Sequence, residues 1–203
     1  MQNLQDMARM FVALLPPKEV VEPLVGAVQR LRADQPRLAV AVRWAPPESW
    51  HITLAFLGEV PATVRPELAR QLAQVASEHP PAPVVIAGGG RFGTRVLFAA
   101  VDEPPLAPLA RAVARAARRA GVIGIDSRVW RGHLTLATRR SSRPKGRHTG
   151  SPPQTGEPDL APLVDGLAGI TARPWTATGF TLMRSGPAAG PPYETTATWP
   201  LEG

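Results

Sequence analysis

The chain predicts an α+β fold of two pseudo-symmetric lobes, with antiparallel sheets lining a central cleft and helices on the outside. Three observations carry that expectation. A five-residue motif occurs twice, as His51-Ile52-Thr53-Leu54-Ala55 and as His133-Leu134-Thr135-Leu136-Ala137. Segments of helical period alternate with segments of strand period along the chain. Gly93-Thr94 and a later Gly-Pro loop each separate two strand-like runs, which calls for antiparallel hairpins.

Taken in order, residues 10–15 form an apolar run that Pro16-Pro17 ends, a first strand. Residues 18–33 carry Val21, Leu24, Val25, Val28 and Leu31 at helical spacing. Residues 38–44 read as a second strand before a Pro46-Pro47 turn, and the first motif is the third strand. Pro61 opens a helix over 63–77, with Val64, Leu68, Leu72 and Val75 on one face. The prolines of 80–83 break the chain, and 84–92 with 95–101 form a hairpin. The pattern then repeats. An Ala/Arg-rich helix over 106–120 stops at Gly121, and the second motif comes next as a strand. Residues 141–158 are basic, contain no apolar run and read as a flexible loop. A short helix over 160–167 and a closing hairpin of 175–184 with 193–199 complete the chain.

Bulk composition narrows the function classes. The 203 residues are enough for one large domain or two small lobes. The absence of cysteine excludes disulfides, thiolate metal sites and a cysteine nucleophile. The apolar run at 10–15 is too short to span a membrane and lacks signal-peptide flanks, so a soluble cytoplasmic protein without a membrane partner is expected. A net charge of +7 and a pI of about 11.2 favour polyanions such as RNA. A coding bias toward Arg, Ala and Pro gives the same excess, so charge alone does not decide.

The motif carries the chemistry. Apolar and polar residues alternate in both copies, as on half-buried strands. Alternation puts His51, Thr53, Ala55 and Leu57 on one face and Ile52, Leu54 and Phe56 on the other. It puts His133, Thr135, Ala137 and Arg139 together, with Leu134 and Leu136 behind them. Two of only four histidines therefore occupy matched positions. One imidazole can take a proton from an attacking water while the other gives one to a leaving oxygen, because histidine titrates near neutral pH. Thr53 and Thr135 can donate to non-bridging phosphate oxygens, and Arg139 can add charge. A bulge would present Arg140 instead. A strained 2′,3′-cyclic phosphate suits such a pair, with no metal and no cofactor.

The residues His51-x-Thr53-Leu54 and His133-x-Thr135-Leu136, about 80 positions apart, resemble the two signature motifs of the 2H phosphoesterase superfamily. The extension Ala55-Phe56-Leu57-Gly58-Glu59-Val60 and the start Arg9-Met10-Phe11-Val12-Ala13-Leu14-Leu15-Pro16 resemble its RNA 2′,3′-cyclic phosphodiesterase branch, once called 2′-5′ RNA ligases. So does the tail from Phe180-Thr181-Leu182 through Tyr193 to Trp199-Pro200-Leu201. The resemblance implies a bilobed fold with a central cleft; a single domain over 1–203, acting as a monomer, is expected. It implies metal-independent hydrolysis of an RNA 2′,3′-cyclic end, or of a cyclic nucleotide, to a 2′-phosphomonoester. His51 would be the proton donor and His133 the acceptor. Joining or cleaving a 2′-5′ linkage, hydrolysis of a small cyclic phosphate, and RNA-end binding without catalysis are the competing functions. The second copy departs from the family pattern: Thr138 stands where Arg is usual, and Gly132 where Pro is usual.

The remaining candidates have plainer expected roles. Phe56, Trp44, Trp50 and Trp130 are expected in the core. His79 caps a helix, His148 is incidental, and Gly88-Gly89-Gly90 makes a turn or bulge. Arg111, Arg115, Arg118 and Arg119 form a solvated helix face, and Tyr193 reaches the cleft.

Overall fold

The computed structural model describes residues 7–126, 128–140, 159–186 and 190–203. The loop expected over 141–158 lies outside the described residues. Ten strands and five helices are described. The strands are β1 (Met7–Leu14), β2 (Val42–Trp44), β3 (Ile52–Pro61), β4 (Ala82–Val84), β5 (Ile86–Phe92), β6 (Val96–Val101), β7 (His133–Arg139), β8 (Trp175–Ala177), β9 (Gly179–Ser185) and β10 (Tyr193–Pro200). The helices are α1 (Lys18–Asp34), α2 (Pro36–Ala39), α3 (Arg65–Glu78), α4 (Ala107–Arg119) and α5 (Ala161–Leu167).

The α+β class and the antiparallel pairing expected from the sequence are what the chain adopts. One sheet runs in the order β10-β9-β1-β3-β7-β6-β5, with β2 beside β7, and β4 pairs β8 in a second, two-stranded sheet. All pairings are antiparallel. The two halves of the large sheet meet where β3 touches β7 at a single registered pair, Ile52 with Leu134. The motif copies thus lie on the two strands at the seam.

Helices cover one face of this sheet. Val20, Leu24, Val28 and Leu31 of α1, Leu68, Leu72 and Val75 of α3, and Leu109, Val113 and Ala116 of α4 join Val12, Leu54, Leu97, Leu134 and Leu182 of the sheet in one buried cluster. Among the described residues, the opposite face carries a small cluster, Phe11, Ala13 and Met183, with Tyr193 packed against it. The arginines at 111, 115, 118 and 119 are exposed on α4, as expected. Arg119 alone among them reaches inward, where its Nε donates to Gln71 Oε1 at 2.9 Å and ties α4 to α3.

Four elements differ from the sequence expectation. The run 38–44 is not one strand. Pro36, with its fixed φ, opens the helical turn α2, and the strand begins only at Val42. Pro61 ends β3, and α3 begins at Arg65 with Pro66 in its first turn. The run 84–92 divides between β4 and β5, which belong to different sheets, and 175–184 divides in the same way between β8 and β9. Apolar runs look alike to a periodicity argument whichever sheet receives them.

Candidate active site

The seam sets the geometry of both motifs. Ile52 and Leu134 are fully buried on the helix-covered face. Their neighbours along each strand must therefore point to the open face. The antiparallel register carries His51 beside Thr135 and Thr53 beside His133. The two motifs interleave, so each histidine sits next to the threonine of the other copy.

Each imidazole is held in the same way. His51 Nδ1 lies 2.8 Å from the carbonyl oxygen of Ser49, and His133 Nδ1 lies 2.7 Å from that of Arg131. A carbonyl only accepts, so Nδ1 carries the hydrogen in both rings and Nε2 is left for proton transfer. Aromatic rings fix the ring planes. His51 packs against Phe11 at 4.8 Å and edge-on to Tyr193 at 5.0 Å between centroids. His133 stands edge-on to Phe92 at 4.8 Å and packs near Phe98 at 5.6 Å. The expected approach of Tyr193 to the cleft is what its ring does.

Both copies also carry the same irregularity, and alternation missed it. Along β1, Val12 pairs Ala55 and Ala13 pairs Thr53, so Leu54 is an extra residue on β3. Along β6, Leu97 pairs Ala137 and Phe98 pairs Thr135, so Leu136 is the extra residue on β7. A bulge of this kind reverses the face of every residue after it. Ala55 and Ala137 turn into the core, and Phe56 and Thr138 turn out to the histidine face. The core role expected for Phe56 is therefore wrong. Its side chain is 45% exposed, and its ring lies 6.1 Å from Phe11.

The same reversal removes Arg139 from the site. It pairs with the buried Val42 of β2, and its Nη1 donates to Thr94 O at 3.3 Å, in the β5–β6 turn. Six residues separate it from His133, roughly 20 Å of extended strand. The structure brings His51, His133, Thr53 and Thr135 together and does not bring Arg139 to them. Nor does Arg140 join them, since its Nε donates to Val42 O at 3.2 Å.

Other parts of the site had no signal in the sequence. Trp130 donates from Nε1 to Thr53 O at 2.8 Å, which ties the approach to β7 onto the first motif. Trp50 alone of the three flanking tryptophans is fully in the core, and Trp44 and Trp130 are half-buried against it. Gly90 leaves room for Phe98: a Cβ there would lie 2.6 Å from the ring. The bulge expected in the glycine run occurs between Ile86 and Gly89.

Known proteins share parts of this sequence and its fold. A profile described as LigT like Phosphoesterase matches residues 14–98, which hold the first motif. The chain is 29% identical over 182 residues to an RNA 2′,3′-cyclic phosphodiesterase of Geobacillus stearothermophilus, a match covering 87% of this chain and 53% of the relative. The chain thus spans about half the length of that relative. It is 29% identical over 210 residues to an enzyme of the same name from Thermus thermophilus, covering 96% of this chain and 91% of the relative. The crystal structure of E. coli LigT complexed with 3′-AMP matches with a TM-score of 0.69 and 25% identity, over 98% of this chain and 100% of that one. Over residues 14–98 the chain is similar to the LigT-like phosphoesterases.

The two histidines differ in their charge surroundings. Burial lowers the pKa of His51; its bond to Ser49 O opposes this, and repulsion from His133 adds to the lowering. Burial also lowers the pKa of His133, opposed by its bond to Arg131 O and by the negative charge of Glu103. Glu103 Oε1 accepts from Gly132 N–H at 3.2 Å and from Arg131 Nε at 2.9 Å, so it clamps the segment that delivers His133. Among the described residues, no group of three or more His, Cys, Asp or Glu is placed to hold a metal ion. No described helix is long and apolar enough to cross a membrane.

Proposed function

We propose that the protein hydrolyses the 2′,3′-cyclic phosphodiester end of an RNA to a 2′-phosphomonoester, using His51 and His133 as acid and base and no metal ion. One observation carries the reading: two imidazoles on one sheet face, each with Nδ1–H fixed by the carbonyl two residues before it and Nε2 left for the substrate. The activity named for the relatives supports the substrate class.

In the proposed step, His133 Nε2 takes a proton from water as the water oxygen bonds to phosphorus. The bond from phosphorus to the 3′ oxygen breaks, and His51 Nε2–H protonates that oxygen. One water is consumed, leaving a 2′-phosphate and a 3′-hydroxyl. Thr53 and Thr135 donate to the non-bridging oxygens, whose charge grows in the transition state. Arg139 has no part in the step. The order of the two histidines rests on the family resemblance, and the charge of Glu103 works against it by favouring the proton on His133.

Product analysis of an oligonucleotide with a 2′,3′-cyclic end tests the reading. A 2′-phosphate product, formed at the same rate with and without EDTA, is expected. A 3′-phosphate product would reverse the histidine roles, and loss of turnover in EDTA would overturn metal independence.

A further inference from the structure

We propose that Arg43 and Thr138 form a second phosphate site, which takes the phosphodiester preceding the cyclic end of the RNA. The inference rests on the proposed function and extends it from a cyclic nucleotide to a chain.

Arg43 lies on β2 directly opposite Thr138 of β7. Opposed residues of an antiparallel pair are about 5 Å apart at Cα and share a face. The bulge at Leu136 puts Thr138 on the face of His133 and Thr135. On β2, Val42 is buried and Trp44 packs against the core, so Arg43 between them points the other way. It is exposed, and no hydrogen-bond or ion-pair partner meets its guanidinium among the described residues.

Arg43 combines this freedom with a place opposite Thr138, on the histidine face. Arg91, Arg131 and Arg184 are each paired with a carboxylate, to Asp159, Glu103 and Glu194. Arg43 therefore has its charge and its forked donors available for a phosphate. The site is also at a suitable remove. Thr138 is three residues beyond Thr135, up to roughly 10 Å along the strand, so a phosphate here is a neighbour of the reacting one. At the matched position of the first copy stands Phe56, paired with Phe11, so that arm presents two aromatic rings in place of a hydroxyl and a guanidinium. The two arms of the seam therefore differ, and the chain of an RNA is drawn along β7 and β2 rather than along β3.

The test compares two substrates, 2′,3′-cyclic AMP and a dinucleotide with a 2′,3′-cyclic end, the second of which alone has a preceding phosphodiester. The ratio of their kcat/KM values is read for the wild type, Arg43→Ala, Arg43→Lys and Thr138→Val. Arg43→Ala should lower the preference for the dinucleotide about tenfold, through KM, as expected for loss of a charge-assisted bond. Arg43→Lys should restore part of it. The salt dependence of the dinucleotide KM should become shallower by about 0.7 in log–log slope. An unchanged ratio in Arg43→Ala, or an equal loss on both substrates, overturns the second site and leaves the proposed function standing. Failure of the wild type to turn over either substrate overturns both.

Discussion

Ile52 and Leu134, each the residue after a motif histidine, are the only registered pair joining β3 to β7 among the described residues. Both are fully buried. This contact is the point about which the two copies interleave. It requires that one strand's histidine fall beside the other's threonine, with both pairs on the face away from the helices.

The pairing predicts shared catalysis. His51→Ala and His133→Ala should each lower kcat/KM by about 10²–10⁴-fold. The double variant should be little worse than the poorer single, because groups that act as a unit are not additive. Thermal unfolding should show both variants folded. Wild-type turnover by either single variant would exclude paired acid–base catalysis.

The pH dependence comes from burial. Both histidines are shifted below the ordinary value of 6.5. If one must be protonated and the other neutral, the kcat/KM profile is bell-shaped with its maximum on the acid side of that value. Glu103 stabilises the His133 imidazolium, so Glu103→Gln should lower the pKa of His133 further. With His133 as base, the rising acid limb then moves to lower pH; with His133 as acid, the falling alkaline limb moves instead. Which of the two limbs is displaced therefore reads the roles directly.

The same shifts set a stability trend. The unfolded chain protonates these histidines below pH 6.5, whereas the folded chain resists until the lowered values are reached. The unfolded state then binds more protons, so stability falls as pH drops through that window and is complete above it. Replacing His51 with Asn should flatten the loss, measured as the midpoint of urea unfolding against pH. An unchanged slope would show that His51 is not buried in the neutral form.

Trp130 holds the two motifs through one bond to Thr53 O. Trp130→Phe keeps an aromatic ring but leaves that carbonyl without its donor, a cost of about 1–3 kcal/mol. A fall in both unfolding stability and kcat is expected. A variant as stable and active as wild type would show that the bond does not secure the seam.

Arg139 offers the opposite case. Since it faces away from the histidines, Arg139→Ala should leave kcat/KM within about twofold, the scatter of a substitution outside the site. A loss of hundredfold would return it to the phosphate.

The candidate catalytic pair was legible in the amino-acid order alone. A motif repeated in full, with two of four histidines at one position, needs no coordinates to be seen. Helix faces were equally legible, because their apolar residues recur at a period that one side of a helix must satisfy. The course of each strand beyond its motif was not legible, and strand pairing across the sheet determines it. Strand alternation is a rule of regular pairing, and the extra residues at Leu54 and Leu136 exist only because partner strands β1 and β6 skip them. One skipped residue exchanges Arg139 for Thr138 and carries Phe56 out of the core. The carbonyls that orient the imidazoles are near in sequence, but the strand entry that aims them is set by the seam. The Trp130 tie and the Arg43–Thr138 opposition likewise depend on pairing between distant segments, which local periodicity does not encode.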